Sequence, residues 1–222
     1  MPHSSSSGAA LRDKQVASTP VAVSAAAGPF PRLLPWLLLV GGVIGLIAAV
    51  VLTVEKIAIL RDPGYVPSCS INPVLSCGSV MTKPQAEAFG FPNPQIGIAG
   101  FAMVAVIGAA LLAGATFRRW FWAGLQAGVI FGVVFVHWLM FQSLYRIGAL
   151  CPYCMVVWAV TIPTFWYVTL HNVSSAEWRL APMLRRVVDR ATRYHSVVLT
   201  SWAVMILALI GEQFWYYWRT LP

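Results

Sequence analysis

Charge is what this 222-residue sequence has least of: Asp, Glu, Lys and Arg supply 10% of it, while 59% is apolar. An ordinary globular domain carries roughly 25% charged residues, so an aqueous fold with a polar shell is excluded. Acidic residues are the scarcer sign, seven against fifteen basic, for a net charge of +8. That excess does not indicate nucleic-acid binding. The basic residues fall in short clusters beside hydrophobic segments, and no basic stripe or nucleic-acid motif accompanies them. They read as topology charges. Also missing are an internal repeat and any polar stretch patterned to build a second, water-facing core. A cleavable signal peptide is excluded too, because the first apolar run is too long and no small-residue cleavage site follows it. Cysteine is rare, with four in the chain.

What is present is a series of long apolar runs. Residues 1–31 are rich in Ser, Ala, Pro and Gly and cannot bury enough surface to offset their ordering entropy, so a disordered tail is expected there. From Leu33 to Leu60 no charge interrupts the run before Glu55. A helix needs about 20 residues to cross a hydrocarbon core of roughly 30 Å. Further helices are expected over residues 95–117, 121–145, 152–171 and 196–218, with Pro163 accommodated inside the fourth by a neighbouring helix or a kink. The expected fold class is an all-α integral membrane protein, a four-helix core over 32–171 with an outer loop at 61–94. A basic loop at 172–195 leads to a fifth transmembrane helix in 196–222.

Placing the N-terminus inside puts Arg12, Lys14, Arg32, Arg118, Arg119, Arg179, Arg185, Arg186, Arg190 and Arg193 on the inner side. Lys56, Arg61, Lys83, Arg146 and Arg219 then lie outside. Ten against five favours this orientation by the positive-inside rule. Tail and basic loop are then cytoplasmic, the aromatic cluster Trp215–Trp218 ends outside, and both cysteine pairs face an oxidising compartment where disulfides persist.

Cys151-Pro-Tyr-Cys154 is the sharpest motif. Pro152 suits the first position of a helix, since it has no N–H to lose and its φ is preset. A cysteine there sits at the positive end of the helix dipole, which favours thiolate. Cys154 lies one turn deeper. An inert structural disulfide and half a zinc site are the plainer readings of such a pair. A four-cysteine zinc site, however, usually has two CxxC knuckles, and Cys69 and Cys77 have seven residues between them. Between them Asn72-Pro73 favours a turn that permits a disulfide. Spacing alone does not establish connectivity. Alone, this pair would be a loop staple; beside an outward CxxC it reads as a second dithiol that passes electrons on.

Three stretches, Cys69-Ser-Ile-Asn-Pro-Val-Leu-Ser-Cys77-Gly-Ser-Val, Phe89-Gly-Phe-Pro-Asn-Pro and Cys151-Pro-Tyr-Cys154-Met-Val-Val-Trp, resemble the bacterial branch of the vitamin K epoxide reductase family. The resemblance covers residues 33–171. DsbB-type quinone reductases place CxxC in the first outer loop instead. The resemblance implies a four-helix bundle around a quinone, menaquinone in the first instance, with no metal. It makes Cys151 and Cys154 the active-site pair, Cys154 next to the quinone, and Cys69 and Cys77 a shuttle pair. Cys69 would exchange with a partner thiol oxidase, and Cys77 would attack Cys151. No fused thioredoxin domain is expected, so a separate DsbA-like thioredoxin-fold oxidase is the implied partner and a bacterial cell membrane the location. Asn93 matches the family's asparagine that hydrogen-bonds a quinone oxygen, with Trp158 and Phe89 as further contacts. The chain departs from the family pattern at Lys83, where Ser or Thr is usual and Thr82 stands one position away. It departs again at Trp158, where animal members have Tyr.

His137 is an intramembrane ionisable residue and so a candidate in its own right, as a quinone contact or as an imidazole bonded to another helix. Glu55 and Lys56 fit snorkelling and local pairing at a helix end, with a carboxylate under the quinone pocket as the functional alternative. The main expectation is a quinone-coupled enzyme that supports disulfide formation in exported proteins. The alternatives are a quinone epoxide reductase and a non-enzymatic scaffold with two structural disulfides.

Overall fold

The computed structural model describes residues 22–23, 29–175 and 182–219. Most of the tail expected at 1–31, part of the basic connection and the last three residues lie outside them. Ala22–Val23 (β1) pairs antiparallel with Phe117–Arg118 (β2). The helices are α1 (Leu33–Arg61), α2 (Cys77–Met81), α3 (Pro94–Leu112), α4 (Arg119–Phe141), α5 (Pro152–Ser174), α6 (Pro182–Arg193), α7 (His195–Gln213) and α8 (Trp215–Trp218). Five are long and apolar enough to cross a membrane: α1, α3, α4 with its continuation to Ile147, α5 and α7. Their outward faces carry large apolar side chains, with Ile47, Val106 and Leu207 each more than half exposed. In water such faces would be a liability; against lipid tails they are the ordinary surface.

Helix boundaries moved where local chemistry overrode the hydrophobic pattern. α3 stops at Leu112 instead of running to 117, and Gly114 takes the left-handed conformation at φ 88° just beyond it. α5 runs unbroken through Pro163 to Ser174. The connection expected as a loop at 172–195 contains α6, which alternates apolar and basic residues at helical spacing. α4 continues as a π-turn over Gln142–Ile147, closed by Gly148 at φ 70°. A π-turn widens the helix and redirects the chain, and here it delivers Ala149 to Cys151 to the mouth of the bundle.

α1 packs mainly against α3 and secondarily α5, and α4 packs against α5. Close contact between α1 and α3 depends on small residues. A β-carbon at Gly42 would meet the Ala105 backbone, one at Gly45 the Phe101 ring, and one at Gly108 the Leu39 backbone. Close backbone approach is how membrane helices gain packing energy without a hydrophobic driving force between them. Gly108→Val should therefore destabilise the protein by about 3 kcal/mol or more, at the upper end for overpacked sites. Gly100→Val, on the same helix but with open space around it, should be near neutral. Equal melting temperatures in detergent would contradict this packing.

α7 is docked, not merely appended. Trp202 Nε1 donates to His137 Nε2 at 3.0 Å, and the Tyr167 hydroxyl and His195 Nδ1 lie 2.8 Å apart. Near the cysteines, buried Phe214 joins Val136, Met140, Leu144 and Trp158 in one apolar cluster.

Candidate functional site

The site begins with the loop between α1 and α3. Asn72 Oδ1 accepts the backbone N–H groups of Val74 and Leu75 at 3.0 and 2.7 Å, forming the turn expected at Asn72-Pro73. That turn sets Cys69 and Cys77 with Cα atoms 5.6 Å apart, and they are disulfide-bonded. Ser76 caps the short helix α2 through Ser79 N–H. The loop is then stitched to the segment before α5: Leu150 N–H donates to Val74 O at 2.7 Å, and Ser76 N–H donates to Leu150 O at 2.9 Å. This parallel bridge between Leu75 and Leu150 lays Cys77 over Cys151. Their sulfurs are 3.2 Å apart.

Cys151 and Cys154 are free thiols. Cys151 holds extended backbone just before Pro152, the first residue of α5. The Cys154 thiol hydrogen bond pulls Cys151 below the ordinary thiol range; burial opposes this, and the N–H groups of Cys154 and Tyr153 at the helix start assist it. Cys77 and Cys151 are among the most deeply buried side chains, and Leu52, Cys69 and Met81 complete their cluster.

Beneath this cluster lies a cavity of about 660 Å³ bounded by α1, α3, α4 and α5, with Val80, Met81, Gln85 and Ala86 of the segment between α1 and α3 as its roof. Cys154 and Trp158 form part of its wall. The Thr161 and Thr164 hydroxyls on the lining are turned back to carbonyls of their own helix at 2.7 Å. The size falls within the range of small-molecule sites, and an apolar lining with few polar groups is their usual character. A quinone ring with part of a prenyl tail fits both.

The other expected contacts divide. Asn93 lines the cavity, but its amide also braces the loop: Nδ2 donates to Gln85 O at 2.7 Å, and Oδ1 accepts from Ala88 N–H at 3.0 Å. One Nδ2–H has no partner among the described residues. Phe89 is half exposed and packs at a tilt against Phe135, itself a lining residue, so it stands one layer behind the wall. His137 is not on the lining; its Nδ1 meets Val133 O at 2.7 Å and its Nε2 receives Trp202, so it anchors α7. The Thr82 hydroxyl donates to Gly78 O within its own helix at 2.9 Å, and Lys83 is exposed, so neither reaches the cysteines.

Two residues read as snorkelling are instead buried. Glu55 accepts the Ser68 hydroxyl at 2.6 Å. Lys56 lines the cavity, donating to Met81 O at 2.8 Å and pairing with Glu87 at 2.9 Å. The available signal was that Lys56 lies one helical turn after Leu52, on the face that meets the cysteines. Among the described residues no cluster of three His, Cys, Asp or Glu side chains could hold a metal.

The vitamin K epoxide reductase family model matches residues 36–169, more than half of the chain, and spans most of α1, the loop between α1 and α3, and α3 to α5. No curated protein is similar enough to add to that match. The disulfide in the loop between α1 and α3, the free thiols at the start of α5 and the cavity below them all fall inside the matched region. The chain belongs to the vitamin K epoxide reductase family and is a multi-pass membrane oxidoreductase.

Proposed function

We propose that this protein reoxidises a DsbA-like thioredoxin-fold dithiol and passes the electrons to a membrane quinone, with menaquinone the first candidate. The observation that carries the reading is the 3.2 Å contact between Cys77 and Cys151, with Cys154 in the cavity wall below. The partner's thiolate attacks Cys69 and releases Cys77, and the partner's second thiol then attacks its own sulfur in that mixed disulfide, leaving the partner oxidised and Cys69 free. Cys77 attacks Cys151 in an oxidised Cys151–Cys154 pair, and reclosure of Cys69–Cys77 leaves both helix thiols reduced. Thiol exchange needs contacting sulfurs and in-line approach, and one such contact is already formed. Cys151 and Cys154 then give two electrons and two protons to the quinone and close into a disulfide. Asn93 and Trp158 orient the ring, by hydrogen bond and by stacking. Phe89 supports the wall, and His137 acts indirectly through α7. The distribution of Lys and Arg supports an extracytoplasmic position for all four cysteines in a bacterial cell membrane.

The test is quinone reduction by purified protein with a dithiol donor. Turnover at catalytic protein concentration is expected, and inactivity with both naphthoquinones and benzoquinones would sink the proposal. The pH profile adds a check. Because Cys151 is held below the ordinary thiol range, its thiolate persists to lower pH. In protein reduced beforehand, the acidic limb of the single-turnover rate should therefore lie below the usual thiol pKa of about 8.5. A limb at or above that value would remove the thiolate from the scheme.

A further inference from the structure

A lysine is an odd component for the wall of an apolar cavity. Lys56 is 7% exposed, and it follows Leu52 by one helical turn, so both lie on the face of α1 that meets the cysteine cluster. An ammonium has three N–H donors. Met81 O takes one and Glu87 another; the third has no partner among the described residues. Glu55, its neighbour in sequence, is engaged with Ser68. The ion pair with Glu87 explains what steadies Lys56 but not why it is buried, because Glu87 is 40% exposed and a surface lysine could pair with it equally well. Buried charge inside a membrane bundle is costly and is typically retained for function.

We propose that the Lys56 ammonium is a catalytic electrostatic group that stabilises negative charge on a ring oxygen of the quinone as electrons leave Cys151 and Cys154. This rests on the reading that the quinone occupies the cavity. Overall, the two thiols lose two electrons and two protons to become a disulfide, and the quinone gains both to become a hydroquinone. Electrons reaching the ring oxygen ahead of protons leave negative charge there. A fixed cation in a water-poor cavity stabilises that charge without reorganising. The neutral oxidised ring gains little from the same cation, so the effect belongs in kcat and not in affinity. Met81 and Glu87, the two partners of Lys56, both lie on the roof loop, so the ammonium is held in position when the loop is seated over the cysteines.

The experiment uses full-length protein in nanodiscs, reduced with dithiothreitol and mixed with menadione. Lys56→Met should lower kcat about a hundredfold, the scale for losing one preorganised charge-stabilising donor. The menadione dissociation constant, read by tryptophan quenching, should change less than about threefold, as expected when only a transition-state interaction is lost. Lys56→Arg should recover most of the rate. Glu87→Gln breaks the ion pair but keeps the cation, and it should cost no more than about threefold, as for a partly exposed pair. If Glu87→Gln is as damaging as Lys56→Met, Lys56 is a loop latch and the proposal fails. It also fails if affinity falls as far as kcat. As a folding control, Lys56→Met in a Cys69→Ala/Cys154→Ala background should still form the Cys77–Cys151 disulfide; loss of that bond would make Lys56 an anchor of the loop and overturn the assignment. Wild-type protein that reduces no menadione would defeat the quinone reading itself, whatever the Lys56 variants do.

Discussion

Cys154→Ala is expected to abolish quinone reduction, by about a thousandfold or more given that residues acting as one catalytic unit fail together, whether electrons come from a protein partner or a small dithiol. Cys154 is the one cysteine of the four that lines the cavity. Cys151 is sealed between Cys77 above and the start of α5 below. Without Cys154, Cys151 can still exchange with Cys77, but no second thiol remains beside the ring to complete a two-electron transfer. Steady-state quinone absorbance with dithiothreitol as donor would read the loss directly. The variant should hold Cys77 in a disulfide, either to Cys69 or to Cys151, measurable by mass spectrometry without reduction. Substantial activity in Cys154→Ala would mean that the electrons leave through Cys151 alone and that the cavity is not where they go.

Cys69→Ala/Cys154→Ala is expected to trap a Cys77–Cys151 disulfide in nearly every molecule under mild oxidation. The two sulfurs already lie 3.2 Å apart, and the backbone bridge from Leu75 to Leu150 fixes the segments that carry them. A disulfide tolerates little Cα mismatch, its Cα separation being confined to about 4.4–6.8 Å. Near-complete formation would therefore report the native seating of the loop. The contrasting pair, Cys77→Ala/Cys151→Ala, keeps Cys69 on the loop and Cys154 one turn down α5 in the cavity wall, and it should link far less. Non-reducing peptide mapping would find residues 69–83 joined to residues 147–158 in the first variant. Equal linkage in both would mean a mobile loop and would leave the relay without support. Linkage in neither would make Cys69–Cys77 a staple.

Much of this was legible from one-dimensional pattern. Uninterrupted apolar length identifies the crossing helices, because a helix must span a hydrocarbon layer of fixed thickness. The Asn72 turn and Pro152 at the start of α5 are local chemistry, decided within a few residues. The cysteine pairs were visible for the same reason. Helix ends were less legible: Gly114 and Gly148 adopt left-handed backbone that no hydropathy pattern encodes.

The sequence by itself determined the membrane class and the crossing segments, and it singled out the two cysteine pairs as the candidates for redox chemistry, since these follow from composition and short spacing. Only the tertiary structure decided which of those residues meet. Cys77 and Cys151 are 74 positions apart and touch because a π-turn and a backbone bridge, neither with a spacing signature, bring the loop down onto α5. The same long-range packing turned Lys56 inward to the cavity and His137 away toward Trp202. Which face of a helix a residue occupies can be counted along the chain. What stands opposite that face depends on the neighbouring helices, and no count along one segment contains it.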